Sequence, residues 1–150
     1  MSAISTIYNE IHALMGTLYP DKRELVDNID ISNNDEISLR DGYGIYIGSA
    51  INSQRKVGCS LSIERSFDII FTRVIKGSHK NKTALETAEK AILEDAYTII
   101  NRLENDDDDI SAAAKCYYVS DNGMQRVIAG QYNLITMELT FSVEYFENLS

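Results

Sequence analysis

The chain has 150 residues, enough for one domain spanning 1–150 with a single core, and its 44% apolar and 25% charged content is that of a globular protein rather than a disordered one. Its net charge of −9 argues against tight wrapping of DNA, because phosphate neutralisation needs clustered Lys and Arg. No apolar run approaches the ~18 residues that span a bilayer, and MSAISTIYNEIH has neither the basic nor the continuous apolar region of a secretory leader, so no membrane partner is expected.

The first segment reads as a helix. Ile4, Ile7, Tyr8, Ile11, Leu14, Met15 and Leu18 recur at three- and four-residue spacing and form one apolar stripe. Ser2 or Ser5 suits the N-cap, Gly16 weakens the end, and Pro20 stops continuation. Residues 21–42 are polar and poorly periodic, with room for a short strand in LVDNIDI and another in EISLR. YGIYIGSAI (43–51) is a strand, NSQRK (52–56) a polar hairpin tip, and VGCSLSIERSFDIIFTRVI (57–75) one long strand or two broken by a bulge. In it Phe67, Ile69 and Phe71 share one face while Ile70 and Val74 take the other, as in a sheet covered on both sides.

KGSHKNK (76–82) reads as a turn. Thr83 followed by Glu86 fits a capping box, and Leu85, Ala88, Ile92, Ala96, Ile99 and Leu103 form the buried stripe of a helix ending near Leu103 or Glu104. AAAKCYYVS (112–120) is a strand leading into the turn DNG (121–123). MQRVIAGQYN (124–133) is a strand or an ordered connection. In ITMELTFSVEYF (135–146), Ile135, Met137, Leu139, Phe141, Val143 and Tyr145 alternate with polar residues, which marks one buried and one wet face. The pattern predicts an α+β fold: an antiparallel or mixed β-sheet with two α-helices packed on one face, in the order α-β-β-α-β-β.

Charge is unevenly distributed. Between Arg55 and Lys82 seven basic residues (Arg55, Lys56, Arg65, Arg73, Lys76, Lys80, Lys82) face only Glu64 and Asp68, a surplus of five positive charges. The remainder carries 21 acidic and seven basic residues. Solvated faces account for such a split, and so does a basic patch that meets an acidic partner such as a second copy.

Motifs for chemistry fail one by one. GYGIYIG (42–48) has GxGxxxG spacing and is followed by β-formers, whereas a dinucleotide fingerprint needs GxGxxG opening a helix and a phosphate loop needs GK[ST]. Gly44, Tyr46 and Gly48 instead share one face of a strand, where small residues admit a close neighbour, such as another subunit. The acidic run after Asn105 lacks the EF-hand pattern, since Ser111 and Tyr117 stand where Gly and Glu belong. Cys59 and Cys116 form no metal or redox spacing, although a single disulfide between them stays open. His12 and His79 belong to no catalytic or zinc pattern. No catalytic, metal or cofactor-binding residue is assigned, and no enzymatic activity or cofactor is expected.

Nine tyrosines and no tryptophan stand out. Tyr43, Tyr46, Tyr117, Tyr118, Tyr132 and Tyr145 fall in strand-rich segments, and tyrosine suits both sheets and interfaces. The strands lack the prolines that blunt sheet edges.

The whole layout resembles a family. An amphipathic helix, a polar stretch, the strand GYGIYIGSA, the long strand RSFDIIFTRVI, the helix TALETAEKAILEDAYTIINRL and the closing strand LITMELTFSVEYF together look like the tail terminator proteins of long-tailed bacteriophages. The resemblance rests on length, element order and the closing strand. It covers nearly the whole chain, with the acidic run at 106–109 and the length of 21–42 as departures. It implies a structural virion protein of the tail or neck, assembled in the host cytoplasm as a ring, usually of six copies. Such a ring caps the tail tube protein, stops its polymerisation and offers a surface to the head–tail connector. Genomic DNA would pass through the lumen without sequence-specific binding. A head-closure neck protein and a small cellular α+β binding or enzymatic domain are the alternatives. The expected contact residues are Arg55 and Lys56 at the hairpin tip and Asp106, Asp107, Asp108 and Asp109 after the second helix.

Overall fold

A computed structural model describes residues 2–20, 23–24, 42–55, 60–75, 82–105, 114–129 and 132–148. Helix α1 spans Ala3–Leu18 and buries Ile7, Ile11, Leu14 and Met15, while Tyr8 turns off the stripe and is exposed. Ser2 is its N-cap: the Ser2 Oγ accepts the Ser5 amide at 3.2 Å. The Ala3 and Ile4 amides donate to the Glu147 carboxylate at 3.1 and 3.0 Å, so a residue from the other end of the chain satisfies two free donors of the first turn.

Strand β1 (Arg23–Glu24) pairs parallel with the start of β2 (Gly42–Arg55). β2 runs antiparallel to β3 (Ser60–Val74), and β3 antiparallel to β6 (Tyr132–Asn148). β4 (Lys115–Asp121) and β5 (Gln125–Ala129) both pair antiparallel with β6. Helix α2 (Lys82–Asn105) lies between β3 and β4 in the chain. The fold is α+β, with a mixed six-stranded sheet in the order β1-β2-β3-β6-β4 and β5 beside β6. Short β1 and β5 are additions to the expected six-element order.

Several local expectations need correction. Asn52–Arg55 is not a hairpin tip but strand, paired with Leu61–Glu64 of β3, because the backbone ladder continues wherever a partner strand does and exposed polar side chains do not oppose it. Ser60–Val74 is one unbroken strand, the first of the two forms expected there, and the irregularity of the hairpin is not in β3. It lies instead in β2, whose register shifts twice, between Ile47 and Ala50 and again between Ala50 and Asn52. Thr83 does not cap α2, since the helix already includes Lys82. The Thr83 carbonyl accepts from Thr87 Oγ1, and Glu86 lies 3.9 Å from the exposed Lys82 ammonium. The short strands expected in LVDNIDI and EISLR lie outside the described residues.

The odd residues of β6 from Ile135 to Tyr145 are all buried, as their spacing predicts. They join Phe67, Ile69 and Phe71 and the buried residues of both helices in one hydrophobic cluster. Phe67 stacks on Phe141 at a ring separation of 5.1 Å, and Tyr118 meets Phe141 edge-on at 5.9 Å. Each fully buried Phe or Leu contributes roughly 1.5–3 kcal/mol relative to exposure. The other face of β6 is not uniformly wet, because Thr136 and Ser142 are also buried. β6 is a central strand, so neighbours on both sides shield even its polar side chains.

Beneath this core an ion pair ties three elements together. Arg73 of β3 donates to both Asp95 carboxylate oxygens of α2 at 2.7 and 2.8 Å, and Tyr19 at the end of α1 donates its hydroxyl to the Asp95 carbonyl at 3.3 Å. Burial first, and the Asp95 charge second, push the Tyr19 phenol well above its usual range. GYGIYIG is strand throughout. The space beside Gly44 is filled by this chain's own Tyr46 and Ile70, so it does not wait for a neighbouring subunit.

Candidate assembly surface

Residues directly opposite each other in neighbouring strands share a face of a sheet. The face away from the core cluster therefore carries Glu138, Thr140, Ser142 and Glu144 of β6, Glu64 and Asp68 of β3, Tyr46 and Asn52 of β2, and Lys115 and Tyr117 of β4. Four carboxylates share this face with the Lys115 ammonium and, through the pairing of Arg23 with Gly42, one arginine of β1. Glu64 and Glu144 are direct cross-strand neighbours, a like-charge pairing that disfavours the sheet on its own. Hydroxyls offset it: Ser142 donates to Glu64 at 2.9 Å and Thr140 donates to Asp68 at 2.7 Å. Partial burial, with the Asp68 charge second, holds the Glu138 carboxyl above its usual range.

Two clefts are present, one on this face and one on the helix side of the sheet. One, of about 190 Å³, is polar and lies between Asn52, Gln54, Ser62, Glu64 and Glu144. The other, of about 310 Å³, lies between α1 and β2 and is lined by Ile4, Ser5, Tyr8, Asn9 and Ile47. Among the described residues no group of three or more His, Cys, Asp or Glu side chains is arranged to hold a metal ion.

Of the residues expected to make contacts, Arg55 is exposed at the end of β2, opposite Leu61. Lys56, Asp106, Asp107, Asp108 and Asp109 lie outside the described residues. The basic stretch from Arg55 to Lys82 is not a uniform patch. Arg73 is committed to Asp95, while Arg65 donates to the Tyr145 hydroxyl and the Gly48 carbonyl, each at 3.0 Å. Both arginines lie opposite core residues, Ile135 and Val143, and act inside the protein.

The acidic face escapes sequence reading because Glu64 and Asp68 meet Glu138 and Glu144 only through the β3–β6 register. Spacing alone hinted at it: each pair recurs at an even interval along its strand, which places its members on one face. Cys116 is a free, buried thiol, pushed up to about 12 by burial and by the nearby Glu104 carboxylate. Neither the models of known protein families nor the curated proteins compared with this chain match it.

Proposed function

We propose that the chain is a structural subunit of a ring at the neck of a long-tailed bacteriophage, a tail terminator that caps the tail tube, stops its growth and presents a surface to the head connector. In this reading both helices lie on one face of the sheet and the opposite, acidic face lines the lumen. The observation that carries it is the set Glu64, Asp68, Glu138 and Glu144 gathered on one face of the sheet, where among the described residues the cations are Lys115 and, on the β1 edge, Arg23. A wall of carboxylates repels phosphates and gains nothing from counterion release, so DNA slides past without sticking. The chain acts by shape and charge, with no chemical step.

Two experiments test the reading. Native mass measurement and electron microscopy of the purified protein, alone and with tail tubes, should give a closed ring. A monomer under both conditions overturns the proposal. Tails assembled without this chain should be overlong, whereas headless tails of normal length would assign it to head closure instead.

A further inference from the structure

Strands β2, β3, β6 and β4 alternate in direction, because each successive pair is antiparallel. An even number of alternating strands has a geometric consequence. A second copy set beside the first in the same orientation brings its β2 antiparallel to the first copy's β4, the arrangement with the more favourable hydrogen bonds. Two copies related this way use different edges, so the contact is heterologous and repeats until it closes.

Both edges are accessible. Every β2 residue from Ser49 to Arg55 is exposed, as are Lys115, Tyr117, Val119, Ser120 and Asp121 of β4. Among the described residues no strand pairs with the outer edge of β4, and β1 covers β2 only at Gly42 and Tyr43. Large apolar side chains stand out on both: Ile51 is 60% exposed, Tyr117 41% and Val119 57%. The register shifts in β2 end at Asn52, and the one in β4 begins after Tyr118, so Asn52–Arg55 and Lys115–Tyr118 are regular strand.

Face and charge select a register. Gln54 and Tyr117 belong to the polar face, whereas Arg55 and Cys116 belong to the core face. Glu104 at the end of α2 lies within electrostatic reach of Cys116. We propose that the outer edge of β2 in one copy pairs antiparallel with β4 of the next, with Arg55 opposite Cys116 beside Glu104 and Gln54 opposite Tyr117. The pairing rests on the ring reading above and specifies which surfaces build the ring.

A charge exchange tests it. Arg55→Glu and Glu104→Lys, both at exposed positions, should each weaken assembly at low salt, by about fivefold per contact. The double variant should restore assembly, since the two reversed charges then meet across every contact, and an equimolar mixture of the two single variants should restore it by alternating reversed and wild-type pairs. In a Cys59→Ser, Cys116→Ala background, Gln54→Cys with Tyr117→Cys should oxidise to a ladder of covalent oligomers that stops at ring size. Each single-cysteine chain should stay uncrosslinked. Melting temperatures like that of the wild type establish that the variants fold. A wild-type ring that shows neither charge rescue nor a ladder overturns the edge pairing and leaves the ring reading standing. Dimers from one single-cysteine chain overturn it in favour of like edges meeting. A wild-type chain that stays monomeric, alone and on tubes, overturns both.

Discussion

Tyr46 lies back over Gly44, so that a Cβ at position 44 would stand 2.9 Å from the Tyr46 hydroxyl oxygen and 3.3 Å from the Ile70 side chain. The ring of the aromatic residue covers backbone that the glycine leaves bare. Further along the same strand, a Cβ at Gly48 would stand 2.5 Å from Ser66 Oγ and 3.2 Å from the Ser66 carbonyl oxygen. Tyr46 is the end of a side chain and can swing aside, but the Ser66 carbonyl belongs to the β3 backbone. Gly44→Ala should therefore cost less than Gly48→Ala, and Gly44→Val should cost about 1–3 kcal/mol by overpacking. Urea denaturation of the three variants checks the order, and equal costs at 44 and 48 would contradict it.

Asp95 is the joint of three elements. Asp95→Asn leaves the shape but removes the charge that Arg73 faces, and Arg73 is only partly accessible to water. Breaking such a pair by removing one partner should cost about 3 kcal/mol. Replacing both partners, as in Arg73→Met with Asp95→Leu, should cost less than the single change. A double-mutant cycle by thermal or urea denaturation measures the difference.

Two carboxylates should respond to pH in opposite directions. The Asp121 carboxyl is held below its usual value, first by the Tyr118 hydroxyl at 2.7 Å and then by the Gly123 amide at 2.8 Å. Its stabilisation is present above the unfolded value and is lost as pH falls through the lower folded value. Glu138 is held above its usual value, so it favours the folded state in acid and disfavours it as pH rises past the unfolded value. Tyr118→Phe should move the Asp121 titration upward by NMR. Glu138→Gln should raise stability at pH 7 and leave it unchanged below pH ~3, where the wild-type carboxyl is protonated in both states.

Cys116 should be inert. Its thiol is buried and its pKa is raised, so the reactive thiolate is scarce at neutral pH. Iodoacetamide at pH 8, followed by peptide mass analysis, should label Cys116 only after the protein is unfolded. Rapid labelling of the native protein would contradict this packing.

What could be read from the sequence was what has a local period. Ile7, Ile11, Leu14 and Met15 announce α1 by spacing alone, and the odd residues of β6 announce a half-buried strand. Asn52–Arg55 could not be read, because nothing in four polar residues reveals a partner strand that continues alongside. Thr83 misled for a related reason: a cap is defined by where the helix begins, and the Thr–Glu spacing persists one residue inside it. The acidic face needed the pairing of Glu64 with Glu144, 80 positions apart in the chain. The Arg73–Asp95 joint was equally hidden, since a buried ion pair and a surface arginine look alike in sequence.

The position of β6 also bears on synthesis. Among the described elements it comes last in the chain, yet β3, β4 and β5 all pair with it and its Glu147 seats the start of α1. During translation the β2–β3 hairpin and both helices emerge before their common partner exists. The parts of their apolar faces that pack on β6 stay unburied until that strand leaves the ribosome, and the contacts that then form are long-range, which slows folding. A nascent chain stalled before Leu134 should hold the hairpin and helices without a shared core, exposed to chaperones rather than folded in stages.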